Sequence, residues 1–96
     1  MKYRLDIDPR VVREASRIYH YRERERLSGP RFTKALSACF DRILANPYAY
    51  QIRKAPYRHA QLNRLKYRVV FKVEGQLISV VQVRHTSRNV SKRYGP

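Results

Sequence analysis

Tyr67-Arg68-Val69-Val70-Phe71-Lys72-Val73-Glu74-Gly75-Gln76-Leu77-Ile78-Ser79-Val80-Val81-Gln82-Val83 is the stretch on which the reading of the fold turns. Leu65, Tyr67, Val69, Phe71 and Val73 alternate with Lys66, Arg68, Val70 and Lys72, the two-residue period of a strand with one buried face. Glu74-Gly75 is a tight hairpin turn, and the run 77–83 is apolar on nearly both faces. That pattern suits a central strand covered on one side by helices. Tyr57, Ala60 and Leu62 open the same period upstream, so the second half of the chain reads as a β-meander.

Toward the N-terminus, Tyr3, Leu5 and Ile7 alternate with Lys2, Arg4, Asp6 and Asp8, which predicts a first strand. Asp8-Pro9 then supplies an N-cap carboxylate and a proline at the first helical position, where the missing N–H costs nothing. Val11, Val12, Ala15, Ile18 and Tyr19 form the apolar stripe of this helix. Glu14 with Arg17 and Glu23 with Arg26 are spaced to pair on its solvated side. The pattern breaks at Ser28-Gly29-Pro30 and resumes with Phe32, Ala35, Leu36, Cys39, Phe40, Ile43 and Leu44, the clearest amphipathic helix in the chain. Asn46-Pro47 ends it, because the residue before proline is pushed out of the helical region. The short break predicts an antiparallel helical hairpin. The fold class is therefore α+β: an N-terminal strand and a two-helix hairpin packed on one face of a mainly antiparallel four-stranded sheet, in one domain spanning 1–96. The polar tail from 85 to 96 is expected to cross the open face of the sheet or hang from its edge.

The charge is the strongest compositional signal. Twenty-two Lys and Arg against seven Asp and Glu give +15 on 96 residues, well beyond the ~2–8 that suffices for solubility in a small domain. Residues 49–96 carry eleven of the basic residues against Glu74 alone, so the second half builds the basic face. Arginine outnumbers lysine sixteen to six, and its planar fork suits bidentate contact with phosphate. A polyanionic partner follows from this surplus.

Other classes fall away. No apolar run approaches the ~18 residues of a membrane span, and none forms a signal core, so no membrane partner is expected and the chain is read as cytoplasmic. A single cysteine, Cys39, cannot make an internal disulfide or a thiolate zinc site, and its place in the helical stripe makes it a core filler. His20, His59 and His85 are not spaced as ligands on one element, and Gly29, Gly75 and Gly95 form no phosphate loop. Neither a metal nor a cofactor is expected. With Glu74 in the turn, the meander has no pair of carboxylates for acid–base work.

A basic constellation remains. Lys66, Arg68 and Lys72 share one side of their strand, Arg84 ends the next, and Arg88 lies just beyond it. His59 and Gln61 border the same patch, and Tyr94 adds a phenol. Metal-free RNA cleavage needs a 2′-oxygen activated and a phosphorane charge stabilised, tasks for a phenol or imidazole beside guanidiniums. Simple solvation of one strand face, with Tyr94 covering a core edge, accounts for the same residues. The candidate catalytic residues are Arg68, Arg88, Tyr94 and His59; the candidate nucleic-acid contacts are Arg58, Arg64, Lys66, Lys72, Arg84 and His85.

The strand from Tyr67 to Val73, the Glu74-Gly75 turn, and Val83-Arg84-His85-Thr86-Ser87-Arg88-Asn89 after a buried strand resemble the RelE/ParE superfamily of bacterial toxin–antitoxin toxins. The order of elements over essentially the whole chain is similar too. The resemblance implies growth arrest and a cognate antitoxin encoded alongside, which the charge of this chain predicts to be acidic. It points to two mechanisms, with ribosome-dependent mRNA cleavage as the leading expectation, because three positions coincide, and gyrase inhibition as the alternative. In RelE-like ribonucleases mRNA is cut on the ribosome, and Arg68, Arg88 and Tyr94 fall at three functional positions, while His59 and Gln61 stand where that branch has lysines. In the ParE-like branch DNA gyrase is inhibited without bond cleavage by the toxin; His85 and Arg88-Asn89 match its signature, and Val90 replaces a proline. A non-toxic nucleic-acid-binding module is the third reading.

Overall fold

The computed structural model describes residues 2–86 and 93–95. Among these, β1 (Arg4–Ile7) is followed by α1 (Pro9–Arg26) and α2 (Gly29–Ala45). After a 3-10 turn (Pro47–Ala49) come β2 (Ile52–Lys54), β3 (Tyr57–Gln61), β4 (Tyr67–Glu74) and β5 (Leu77–His85). The sheet order is β1-β5-β4-β3-β2, with β1 parallel to β5 and every other pair antiparallel.

The alternation in β4 is realised as predicted: Tyr67, Val69 and Phe71 join Ala60 of β3, Ile78, Val80 and Val83 of β5, and Val11, Ile18, Phe32, Leu36, Cys39 and Ile43 of the helices in one core. The hairpin loop is Gly75-Gln76, one residue later than the sequence suggests, since Glu74 pairs with Leu77. Gly75 takes φ +59°, the positive angle that two-residue loops matching the strand twist require. Between the pairs Val70–Gln82 and Phe71–Val80 the register slips by one residue at Val81. This bulge keeps Val80 and Val83 both inward although they are three apart.

One strand exceeds the expected four. β2 is three residues long and exposed throughout, so it carries no alternation for a periodicity argument to detect.

The helical hairpin forms at the predicted break, with different chemistry in the turn. Asp8 caps α1 by accepting from the Arg10 backbone N–H at 2.8 Å, and the Arg10 guanidinium bonds the same carboxylate at 2.9 Å, which together hold its pKa down to about 2. Glu14 and Arg17 pair at 2.7 Å as expected. Glu23, expected to pair with Arg26, instead accepts from the Gly29 N–H at 3.1 Å and so caps α2. The left-handed residue at the end of α1 is Leu27 (φ 51°), and Gly29 serves close approach instead: a Cβ there would lie 2.8 Å from the Tyr19 ring. Val12 departs from the predicted apolar stripe and is 57% exposed. Cys39 is fully buried, and burial pushes its thiol up to about 11, as befits a core filler.

Candidate functional site: the cationic sheet face

Strand register decides what this face contains, because directly opposed residues of antiparallel strands point the same way. Gln61 faces Arg68 and Arg84, His59 faces Val70, and Lys72 faces Ser79. The side of the sheet away from the helices therefore gathers His59, Arg68, Arg84 and Lys72, four of the predicted residues. The bulge at Val81 is what returns Arg84 to this side opposite Arg68.

Two residues hold the end of the chain against this face. His59, 9% exposed, has Nε2 2.8 Å from the Tyr94 carbonyl oxygen, and its Nδ1 lies 3.2 Å from the Arg68 Nη1. A carbonyl and a guanidinium offer one acceptor and one donor, which fixes the imidazole as the neutral Nε2–H tautomer. Arg84 donates to the Gly95 carbonyl at 3.1 Å. The Tyr94 ring is 7% exposed and sits edge-on to Tyr57 with centroids 4.7 Å apart. Of the polar tail, Tyr94 and Gly95 thus lie on the open face, one of the two placements the sequence allowed. Arg88, the remaining catalytic candidate, lies outside the described residues.

The electrostatics follow from crowding. Burial first, then Arg68, Arg84 and Arg53, push the His59 pKa below the ordinary imidazole value, against the Tyr94 carbonyl, which favours the protonated ring. Arg68 is lowered by burial and by Arg84 and Arg53, and Arg84 by burial; both guanidiniums stay charged. Clustered cations repel one another, and a bound phosphate offsets that repulsion. Lys72 is the exception, since Glu74 pairs with it at 3.1 Å.

The other predicted contacts go elsewhere. Arg58 opposes Phe71, on the helix side of the sheet, where its guanidinium covers the Tyr48 ring at 5.0 Å and donates to the Tyr50 carbonyl at 2.7 Å. It is packed away from the cationic face because its strand position has the opposite parity to His59. Arg64, Lys66 and His85 line a groove of about 840 Å³ between the hinge of the helical hairpin and the β3–β4 connection, with Arg22 and Arg31 from the helices, and Arg84 lines this groove as well as the cationic face. Arg22 lies 5.8 Å from the centre of the Tyr67 ring, and His85 meets the same ring edge-on. The basic residues thus form two surfaces where the sequence suggests one.

Arg53 on β2 is the cationic-face residue that the sequence reading missed. It bears on both His59 and Arg68, yet stands in a fully exposed three-residue strand with no periodic signal. Among the described residues no group of three His, Cys, Asp or Glu could hold a metal ion, and no helix is long and apolar enough to cross a membrane.

Fold and face together define a small α+β protein with an arginine-rich sheet surface against which Tyr94 and Gly95 are held. The model of the ParE toxin of type II toxin-antitoxin system, parDE, matches residues 5–90, and the chain belongs to this family within the RelE/ParE superfamily. No curated protein matches the sequence. Among solved structures, one of the chromosomal ParDE TA system from P. aeruginosa is similar over 90% of this chain and 98% of that one, with a TM-score of 0.78 at 12% identity. The isolated E. coli RelE toxin is similar over 98% of this chain and 92% of its own at 24% identity, with a TM-score of 0.63. The archaeal RelE-RelB complex from Pyrococcus horikoshii OT3 is similar over 93% of this chain and 100% of the other at 16% identity, with a TM-score of 0.55.

Proposed function

We propose that this toxin arrests bacterial growth by binding rather than by cutting, holding DNA gyrase on DNA through the cationic sheet face. The observation that carries this reading is the engagement of His59 and Tyr94. The one acceptor nitrogen of the imidazole is taken by Arg68, and the Tyr94 phenol ring is buried edge-on against Tyr57. A general base needs a lone pair within reach of a substrate proton, whereas Arg53 and Arg68 supply what a DNA backbone needs. Membership of the ParE family supports the same choice.

The second reading, ribosome-dependent mRNA cleavage, draws on the juxtaposition of Arg68 and Arg84 with an imidazole, an arrangement able to stabilise a pentavalent phosphate. In that reading Arg68, Arg88, Tyr94 and His59 carry the chemistry. Under both, the chain pairs with a cognate antitoxin, as its structural neighbours in the ParDE system and the RelE-RelB complex suggest. The +15 charge makes that partner acidic. Induced expression without the antitoxin, followed by plasmid topology and mRNA 5′-end mapping in the same cells, tests the choice. Growth arrest with altered supercoiling and intact mRNA is the expected result; arrest with new mRNA 5′ ends and normal topology would overturn it.

A further inference from the structure

We propose that His59 is a latch that makes two events one: closure of the chain's C-terminal end over the sheet, and the aiming of Arg68 on the cationic face. His59 is in this account a positioning residue. The inference goes beyond the choice of target and holds for either.

The geometry has three independent parts. First, one imidazole bridges the Tyr94 carbonyl at 2.8 Å and the Arg68 guanidinium at 3.2 Å, so neither contact survives a turn of the ring. Second, the end it holds is seated by other means. Arg84 bonds the Gly95 carbonyl, and Gly95 takes φ +90° so close to β2 that a Cβ would lie 2.8 Å from the Lys54 Cβ and 2.9 Å from the Arg53 carbonyl carbon. Only glycine fits that approach. Third, the Tyr94 ring fills the space beside Tyr57. Tyr94 and Gly95, held against β2, β3 and β5, are an element of the face.

The latch works only as a neutral ring. A second proton removes the acceptor that Arg68 uses and places a cation among the charged groups that bear on His59, namely Arg53 on β2, Arg68 on β4 and Arg84 on β5, with only the Tyr94 carbonyl favouring it. The sign follows: a base whose pKa is lowered by folding contributes its stabilisation fully above its unfolded value, near 6.5, and loses it as pH falls through the lower folded value. The latch is closed at neutral pH and opens in acid.

Nitrogen-15 NMR of the full chain tests this without reference to any target. The expected result is the Nε2–H tautomer at pH 7.5, a His59 midpoint below 6.5, and a Gly95 amide that shifts with that same midpoint. An Nδ1–H ring, or a Gly95 amide indifferent to His59, would overturn the proposal. His59→Gln can donate to the carbonyl and accept from Arg68 through one side-chain amide, so it should keep the Gly95 resonance in place and remove its pH dependence. His59→Ala should release that resonance and weaken binding of a short DNA duplex by about fivefold, with His59→Gln within about twofold of wild type. Equal weakening by both variants would contradict a latch. Should His59→Ala fail to fold, Gly95→Ala leaves the imidazole intact and is expected to raise the His59 midpoint toward the ordinary value; an unchanged midpoint would overturn the coupling. Failure of gyrase inhibition would leave the NMR readouts standing, with only the DNA-duplex comparison resting on the proposed function, so the two proposals fail separately.

Discussion

Arg68→Ala is expected to weaken binding of a DNA duplex by about tenfold or more, the range for losing a charge-assisted contact to phosphate, and with it to abolish growth arrest. Arg68 stands on the central strand of the sheet, between the Arg84 and His59 side chains, with its guanidinium held from behind by the imidazole. Its removal takes away the middle of the cationic face, so the slope of log affinity against log salt should fall by about one. The control is Lys34→Ala, which subtracts the same charge from an exposed position on α2. If affinity depends only on the total of +15, both variants lose equally. If the face is the site, only Arg68→Ala does. Equal losses in a filter-binding titration at two salt concentrations would contradict the assignment.

The largest effect on stability is expected from Phe71→Ala. Phe71 is fully buried on the central strand and meets Tyr50 edge-on at 5.9 Å, so truncation removes both its transfer free energy and its packing. Such changes cost about 3–5 kcal/mol, a large share of the ~5–15 kcal/mol that holds a domain together. In a chain of this size the midpoint of thermal unfolding should drop by about 15 °C or more. Circular dichroism melts measure it, and a drop below about 5 °C would mean that the core is not organised around β4.

These two residues also mark how far the sequence was legible. Phe71 and Arg68 belong to one alternating run, and a period of two assigns their faces without any tertiary information. The same holds for α2, where seven apolar positions at helical spacing specify both the element and its buried side. Legibility ended where structure depends on pairing rather than on period. β2 has no apolar alternation and exists because β3 offers it an edge, so Arg53 was invisible. Arg84 reaches the open face only through the bulge at Val81, which a strict alternation cannot encode. Arg58 shows the complementary limit: charge groups it with its neighbours, but charge alone does not assign a face, and by parity it belongs to the helix side. The engagement of His59 with the chain end joins residues 35 apart, and no local pattern announces such a contact.

The turn between the helices shows the same limit on a smaller scale. Ser28-Gly29-Pro30 marks the break correctly, yet the roles inside it are set by tertiary contact. Gly29 is small because Tyr19 lies against it, and Glu23 caps the second helix from the first. Composition names the residues that interrupt a helix; packing decides which of them bends the chain.

The central claim is that the cationic face acts by binding gyrase on DNA. Its most direct measurement is a supercoiling assay with purified gyrase and relaxed plasmid, run beside a bacterial translation reaction carrying a defined mRNA at the same toxin concentration. The account predicts loss of supercoiling, or trapped cleavage complexes, with mRNA left intact. Full supercoiling alongside ribosome-dependent mRNA cuts would contradict it.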